Sequence, residues 1–171
     1  MENTLKYPIF SFKPINALPL LPALLMLSLL LMPAPQANAA EKFKPAGMDD
    51  IETLINSHHG DIVLLNVFAS WCPPCAQEAK NFVQFYRSNP PSGGVHLYGI
   101  SLDDNKAELK DFIDKKNLNF PIYLCGQDFV DFFEIQSIPT LIVIDRAGTL
   151  VEYRIGIASL NELNEIVAKY K

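Results

Sequence analysis

The chain has 171 residues and a formal net charge of −5, with charged side chains making up 19% of it. An acidic balance of this kind excludes a basic nucleic-acid surface. Three cysteines are too few for a scaffold held together by disulfides.

Residues 1–39 have the three parts of a secretory signal. Lys6 and Lys13 make a basic start, residues 18–32 form an apolar block, and Ala37-Asn38-Ala39 supplies the small-x-small cleavage pattern. A membrane span needs about 20 apolar residues, and this block holds 15, with Pro19 and Pro22 among them. Cleavage after Ala39 is therefore the expectation, with an uncleaved inner-membrane anchor as the alternative. Residues 40–171 are then one exported domain of ordinary size. Contact with a membrane is expected only if the leader is retained, and no nucleic acid is expected as a partner.

Residues 41–47 are expected to be an extended lead-in. Residues 48–57 carry Ile51, Leu54 and Ile55 at helical spacing, with Asp49 and Asp50 in the first turn, where the helix dipole favours acids. Residues 61–68 form an apolar run typical of a buried strand. It leads straight into Trp71-Cys72-Pro73-Pro74-Cys75, and residues 73–87 continue as helix. The cluster 89–94 breaks that helix. Residues 95–101 predict a second strand, 104–116 an amphipathic helix, 121–124 a short strand and 128–133 a short helix. Residues 140–144 and 150–155 flank the turn Asp145-Arg146-Ala147-Gly148 as a hairpin. Ser159 and Glu162 form a capping box for a last helix reaching Lys171. Alternating elements followed by a late hairpin imply an α/β fold with a mixed sheet and helices on both faces.

Two thiols separated by two residues at a strand-to-helix junction can close a small ring and reopen it, so dithiol redox chemistry is the leading reading. Cys72 stands where free N–H groups and the positive end of the dipole stabilise a thiolate, which makes it the expected attacking sulfur. Cys75, one turn further in, is the expected resolving sulfur. Pro73 and Pro74 have no N–H to offer that thiolate. A less stabilised thiolate makes a more reducing couple, which favours a disulfide reductant over an oxidant.

Glu78, one turn beyond Cys75, is by spacing either a proton acceptor for it or an ordinary solvated helix glutamate. Ile138-Pro139 precedes the last core strand. On spacing alone a trans proline is the commoner case, while a cis bond there would leave the residue-138 backbone free to pair with an extended substrate. Asn66 cannot titrate and is expected to bond to backbone. Cys125 is either a buried inert cysteine or an accessory redox thiol at the same sheet edge. His58, His59 and His96 lack a second ligand pair, so no metal is expected. Ala76 stands where a haem-attachment motif needs histidine. No cofactor is expected beyond a redox-active Cys72–Cys75 disulfide.

These residues resemble the thioredoxin-like superfamily, specifically its exported TlpA/ResA/CcmG (DsbE) branch. The likeness is carried by residues 66–78, by Ile138-Pro139-Thr140, and by Asp145 and Gly148. It implies a thioredoxin fold with an inserted helix and strand in the middle and a cis Ile138–Pro139 bond. It also implies an acid–base role for Glu78, and substrate binding at Trp71, Ile138 and Pro139. It further implies a periplasmic thiol–disulfide oxidoreductase acting as a reductase on exported protein disulfides, apocytochrome c cysteines among them. Electrons would come from a membrane thiol reductase. The competing expectations are an oxidase or isomerase of secreted proteins, and a non-catalytic thioredoxin-like binding module.

Overall fold

The computed structural model describes residues 42–171, so the expected leader lies outside the described residues. The elements are β1 (Lys44–Ala46), α1 (Met48–Ser57), β2 (Ile62–Phe68), α2 (Pro73–Ser88), β3 (Val95–Ser101), α3 (Lys106–Lys116), β4 (Ile122–Cys125), α4 (Gln127–Phe132), β5 (Thr140–Ile144), β6 (Leu150–Ile155) and α5 (Leu160–Tyr170). One 3-10 turn, Pro91–Gly93, occupies the breaker cluster before β3.

The six strands lie in the order β1-β4-β3-β2-β5-β6. β2 is central and buried at every position. It pairs parallel with β3 and antiparallel with β5. Side chains alternate across the sheet. Ile62, Leu64 and Phe68 face one layer with Phe82 and Phe85 of α2, Leu109 and Phe112 of α3, and Leu163 and Ile166 of α5. Val63, Leu65 and Val67 face the other layer, with Ile51 of α1 and Phe129 of α4. Helices therefore cover both faces, as expected of a mixed sheet. Among the described residues, no helix is long and apolar enough to cross a membrane.

Two local differences from the expected elements have physical causes. Lys44–Ala46 is not merely extended but adds a parallel edge strand, Pro45 lying opposite Leu124. A proline is tolerated there because an edge strand need not donate on both sides. The helix expected from residue 104 starts at Lys106. Asn105 caps it, its Oδ1 accepting from the N–H groups of Ala107 (3.0 Å) and Glu108 (3.4 Å), which leaves Asp104 outside.

This topology places several segments at one end of the sheet. β2 and β3 run the same way, so the turn after Phe68 and the turn after Ser101 share that end. The ladder continues past the strands, Leu102 N–H donating to the Phe68 carbonyl at 2.9 Å. β5 runs the opposite way, with Thr140 opposite Val67, so Pro139 at its start arrives at that same end.

Candidate active site

Cys72 and Cys75 are joined as a disulfide, their Cα atoms 5.3 Å apart. Cys72 is the N-cap of α2, with extended backbone. Pro73 and Pro74 fill the first helical positions, where a missing N–H breaks no intrahelical bond. The first amide that reaches the Cys72 sulfur is that of Cys75, whose N–H donates to Sγ at 3.2 Å. Exposure does not distinguish the two sulfurs, since Cys72 is 4% and Cys75 2% accessible. Position does, because only Cys72 sits at the helix terminus, facing its free donors.

The Ile138–Pro139 peptide bond is cis. The Cys72 Sγ lies 3.8 Å from the Ile138 carbonyl oxygen, so the proline segment borders the dithiol directly. That segment is fixed from both sides. The Thr140 hydroxyl donates to the Ser137 carbonyl at 2.6 Å, and Gly156 N–H donates to the Pro139 carbonyl at 2.8 Å. Trp71, immediately before Cys72, is 63% exposed and forms part of the rim of a groove with Phe112, Glu108, Asp111 and Lys115 of α3.

Glu78 is not a solvated helix glutamate. It is 1% exposed, on the inner face of α2. One carboxylate oxygen accepts from the Ala158 N–H at 3.1 Å, and the other has no partner among the described residues. Burial pushes its carboxyl up to about 7, only partly opposed by the Ala158 bond. A carboxyl balanced near neutrality one turn from Cys75 suits proton transfer. Asn66 is also buried, and its Oδ1 has no hydrogen-bond partner among the described residues. By alternation Asn66 falls on the same sheet face as Leu64 and Phe68, the face that α2 covers.

Cys125 ends β4 but joins the opposite layer, with Ile51 and Phe129, whereas the cysteine pair belongs to the α2 layer. The structure thus puts the sheet between Cys125 and the disulfide. Burial, then Asp128 and Asp50, pushes its thiol up to about 12.

Sequence reasoning missed two features. Asp103, 5% exposed, gathers Ser70 and Ser101 beside the cysteine turn. No spacing pattern links residues 33 apart, and only Ser70's place before Trp71 hints at it. The second feature is the group His58, Asp61 and His96, whose ligand atoms lie within 4.8 Å of one another at the other end of β2 and β3. The two imidazoles stack at 3.7 Å, His58 bonded to the Tyr98 hydroxyl (2.6 Å) and His96 to Asp61 (2.9 Å). A metal is bound in the plane of each ring. Stacked rings do not aim two lone pairs at one point, so this arrangement is a satisfied polar network.

A cysteine pair joined at a helix N-terminus, a cis-proline against its first sulfur and a central strand with parallel and antiparallel neighbours define a thioredoxin-fold protein. The AhpC/TSA family model matches residues 36–153, more than half of the chain, and the chain belongs to that family. It is similar to the sporulation thiol-disulfide oxidoreductase A of Bacillus subtilis, 32% identical over 110 residues, covering 62% of this chain and 66% of that one. It is also similar to the thiol-disulfide oxidoreductase ResA of Bacillus thuringiensis, 28% identical over 111 residues and 64% of each chain. The chain therefore spans just under two thirds of the length of these curated relatives. Among solved structures, a thiol:disulfide interchange protein of the thioredoxin family from Chlorobium tepidum superposes with a TM-score of 0.62 at 26% identity. That match covers 67% of this chain and 83% of the other.

Proposed function

We propose that this protein is an exported thiol–disulfide oxidoreductase that reduces disulfides of other exported proteins. The observation that carries this reading is the Cys72–Cys75 disulfide at the start of α2, with the Ile138 carbonyl 3.8 Å from Cys72. In the reduced protein the Cys72 thiolate attacks a substrate disulfide. One substrate sulfur leaves as thiolate and a Cys72 mixed disulfide forms. Cys75 then loses its proton to Glu78 and attacks Cys72 Sγ. The substrate's second sulfur is released, and two electrons have passed to it. A dithiol donor, in this reading a membrane thiol reductase, restores the pair.

The direction is supported by the two prolines. They remove two amide donors from the neighbourhood of Cys72 and leave the Cys75 N–H as the first to reach it. A thiolate with fewer donors gives a less stable reduced form and a more reducing couple. The periplasmic location rests on the leader sequence, and apocytochrome c as a substrate rests on the branch resemblance.

A Cys75→Ser variant tests the mechanism, because it forms the mixed disulfide and cannot resolve it. Mass spectrometry of exported extracts should find protein partners attached at Cys72. Their absence overturns the mechanism. Equilibration with a glutathione buffer tests the direction, and a potential near about −120 mV, that of a strong oxidant, overturns the reductant reading.

A further inference from the structure

Cys72 is useful only if its sulfur stays aligned with the one free amide in the first turn of α2, that of Cys75, and the chain just before it is a turn with no ladder of its own. Ala69 to Trp71 lie between the end of β2 and the helix, and within them the Cys72 N–H reaches the Ala69 carbonyl at 3.2 Å. What holds this turn from outside is Asp103. Its carboxylate accepts from the Ser70 N–H with both oxygens, at 3.1 and 3.0 Å, and from the Ser70 hydroxyl at 2.5 Å. The Ser101 hydroxyl donates to the same carboxylate at 2.8 Å, and the Asp103 N–H donates to the Ser101 oxygen at 3.2 Å. Asp103 is 5% exposed and Ser101 fully buried. Such charge-assisted bonds are roughly twice as strong as neutral ones, and they tie the cysteine turn to the end of β3.

We propose that Asp103 is a positioning residue for Cys72, clamping the Ser70 backbone and hydroxyl so that the cysteine sulfur stays at the N-terminus of α2. The inference rests on the dithiol reading of the site. Asp103 touches neither sulfur and acts through Ser70. Its two effects on the thiolate oppose one another. The clamp favours thiolate by keeping Sγ within reach of the Cys75 amide, while the negative charge of the carboxylate disfavours it. Other charged groups at this end include Asp104, next to Asp103 in the chain, Lys106 at the start of α3, Glu108, Asp111 and Lys115 of α3 across the groove from Trp71, and Glu78 on the inner face of α2.

The opposition gives a test with separable signs. The readout is the rate of Cys72 alkylation by iodoacetamide in the reduced protein, followed from pH 5 to 9. Asp103→Ala removes clamp and charge together. Ser70→Ala keeps the charge and removes one bond of the clamp. Asp103→Asn keeps an acceptor for Ser70 and removes the charge. Weakening one hydrogen bond to a thiolate is expected to lower the rate at pH 7 about fivefold to tenfold in Asp103→Ala. Ser70→Ala should fall in the same direction by a smaller factor. Asp103→Asn should match or exceed the unaltered protein.

Unaltered pH profiles in both Asp103→Ala and Ser70→Ala overturn the proposal. So does an Asp103→Asn rate as low as that of Asp103→Ala. If Asp103→Ala fails to fold by circular dichroism, Ser70→Ala decides alone, a lowered rate supporting the clamp and an unchanged one refuting it. Exchange of the unaltered protein with glutathione, measured alongside, tests the dithiol reading separately. If that exchange is absent, the reading of function fails while the alkylation profile still reports on the clamp.

Discussion

Replacing Glu78 by Gln should make the oxidised protein more stable at pH 8 and a poorer catalyst. The stability change follows from burial. A carboxyl moved by desolvation from its ordinary 4.5 to about 7 binds its proton more tightly in the folded state than in the unfolded one. The folded state then carries the extra proton between these two values, and stability falls as pH rises through that window. Below pH 4.5 the group is neutral in both states and contributes no penalty. Above pH 7 the folded protein holds a buried carboxylate with one bond, from the Ala158 N–H, and one oxygen without a partner. At 1.36 kcal/mol per tenfold change in proton affinity, the full penalty is about 3 kcal/mol.

Gln fills the same space, can still accept from Ala158, and does not titrate. The difference in unfolding free energy between the variant and the unaltered protein should therefore widen by about 3 kcal/mol from pH 4.5 to pH 8, in favour of Gln. Urea unfolding followed by circular dichroism measures it. Fluorescence is less suited, because Trp71 is the single tryptophan and is already 63% exposed. Other titrating groups cancel in the difference between the two proteins. A gap that stays constant over this range would show that Glu78 does not titrate there, and the proton-acceptor role would lose its physical basis. Resolution of the Cys72 mixed disulfide should slow in the same variant, since Cys75 has lost its acceptor.

Cys125 should behave as packing and not as chemistry. In the reduced, folded protein at pH 8, a thiol reagent should titrate two cysteines, with the third appearing only after denaturation, because burial holds that thiol at about 12. Three fast thiols would refute this. Gly99→Ala should lower stability by about 1–3 kcal/mol through overpacking. An added Cβ would stand 3.0 Å from both the Phe68 and Phe120 rings and 3.1 Å from Ile122. A melting temperature equal to that of the unaltered protein would show that these rings have room to give.

Much of this fold was legible because its signals are local. The β2 run is apolar throughout, as a strand covered on both faces must be. Ser159 and Glu162 cap α5 as their spacing predicted, the Glu162 N–H donating to the Ser159 hydroxyl at 3.3 Å and the Ser159 N–H to the Glu162 carboxylate at 2.7 Å. β1 was not legible, because three residues including a proline carry no period, and only pairing with β4 makes them a strand. The start of α1 shows the same limit. Met48 N–H donates to the carboxylate of Asp128 at 2.7 Å, a cap supplied from 80 residues away.

The candidate site divides along the same line. Cys72 and Cys75 were visible because two sulfurs must lie close in sequence to close a small ring. Glu78 was visible as a position but not as a state. Helical spacing put it one turn from Cys75, whereas its buried condition is set by tertiary packing, with the loop before α5 supplying the Ala158 N–H that donates to it. Asp103 was invisible for a related reason. It enters the site only because β3 runs parallel to β2 and ends at the same edge, so the sheet order, and no motif, delivers its carboxylate to Ser70. The chemistry of an attacking sulfur is thus written in five adjacent residues. Asp103, Pro139 and Ala158 reach the site from the end of β3, the start of β5 and the loop before α5, and strand direction brings the first two to the edge where β2 ends.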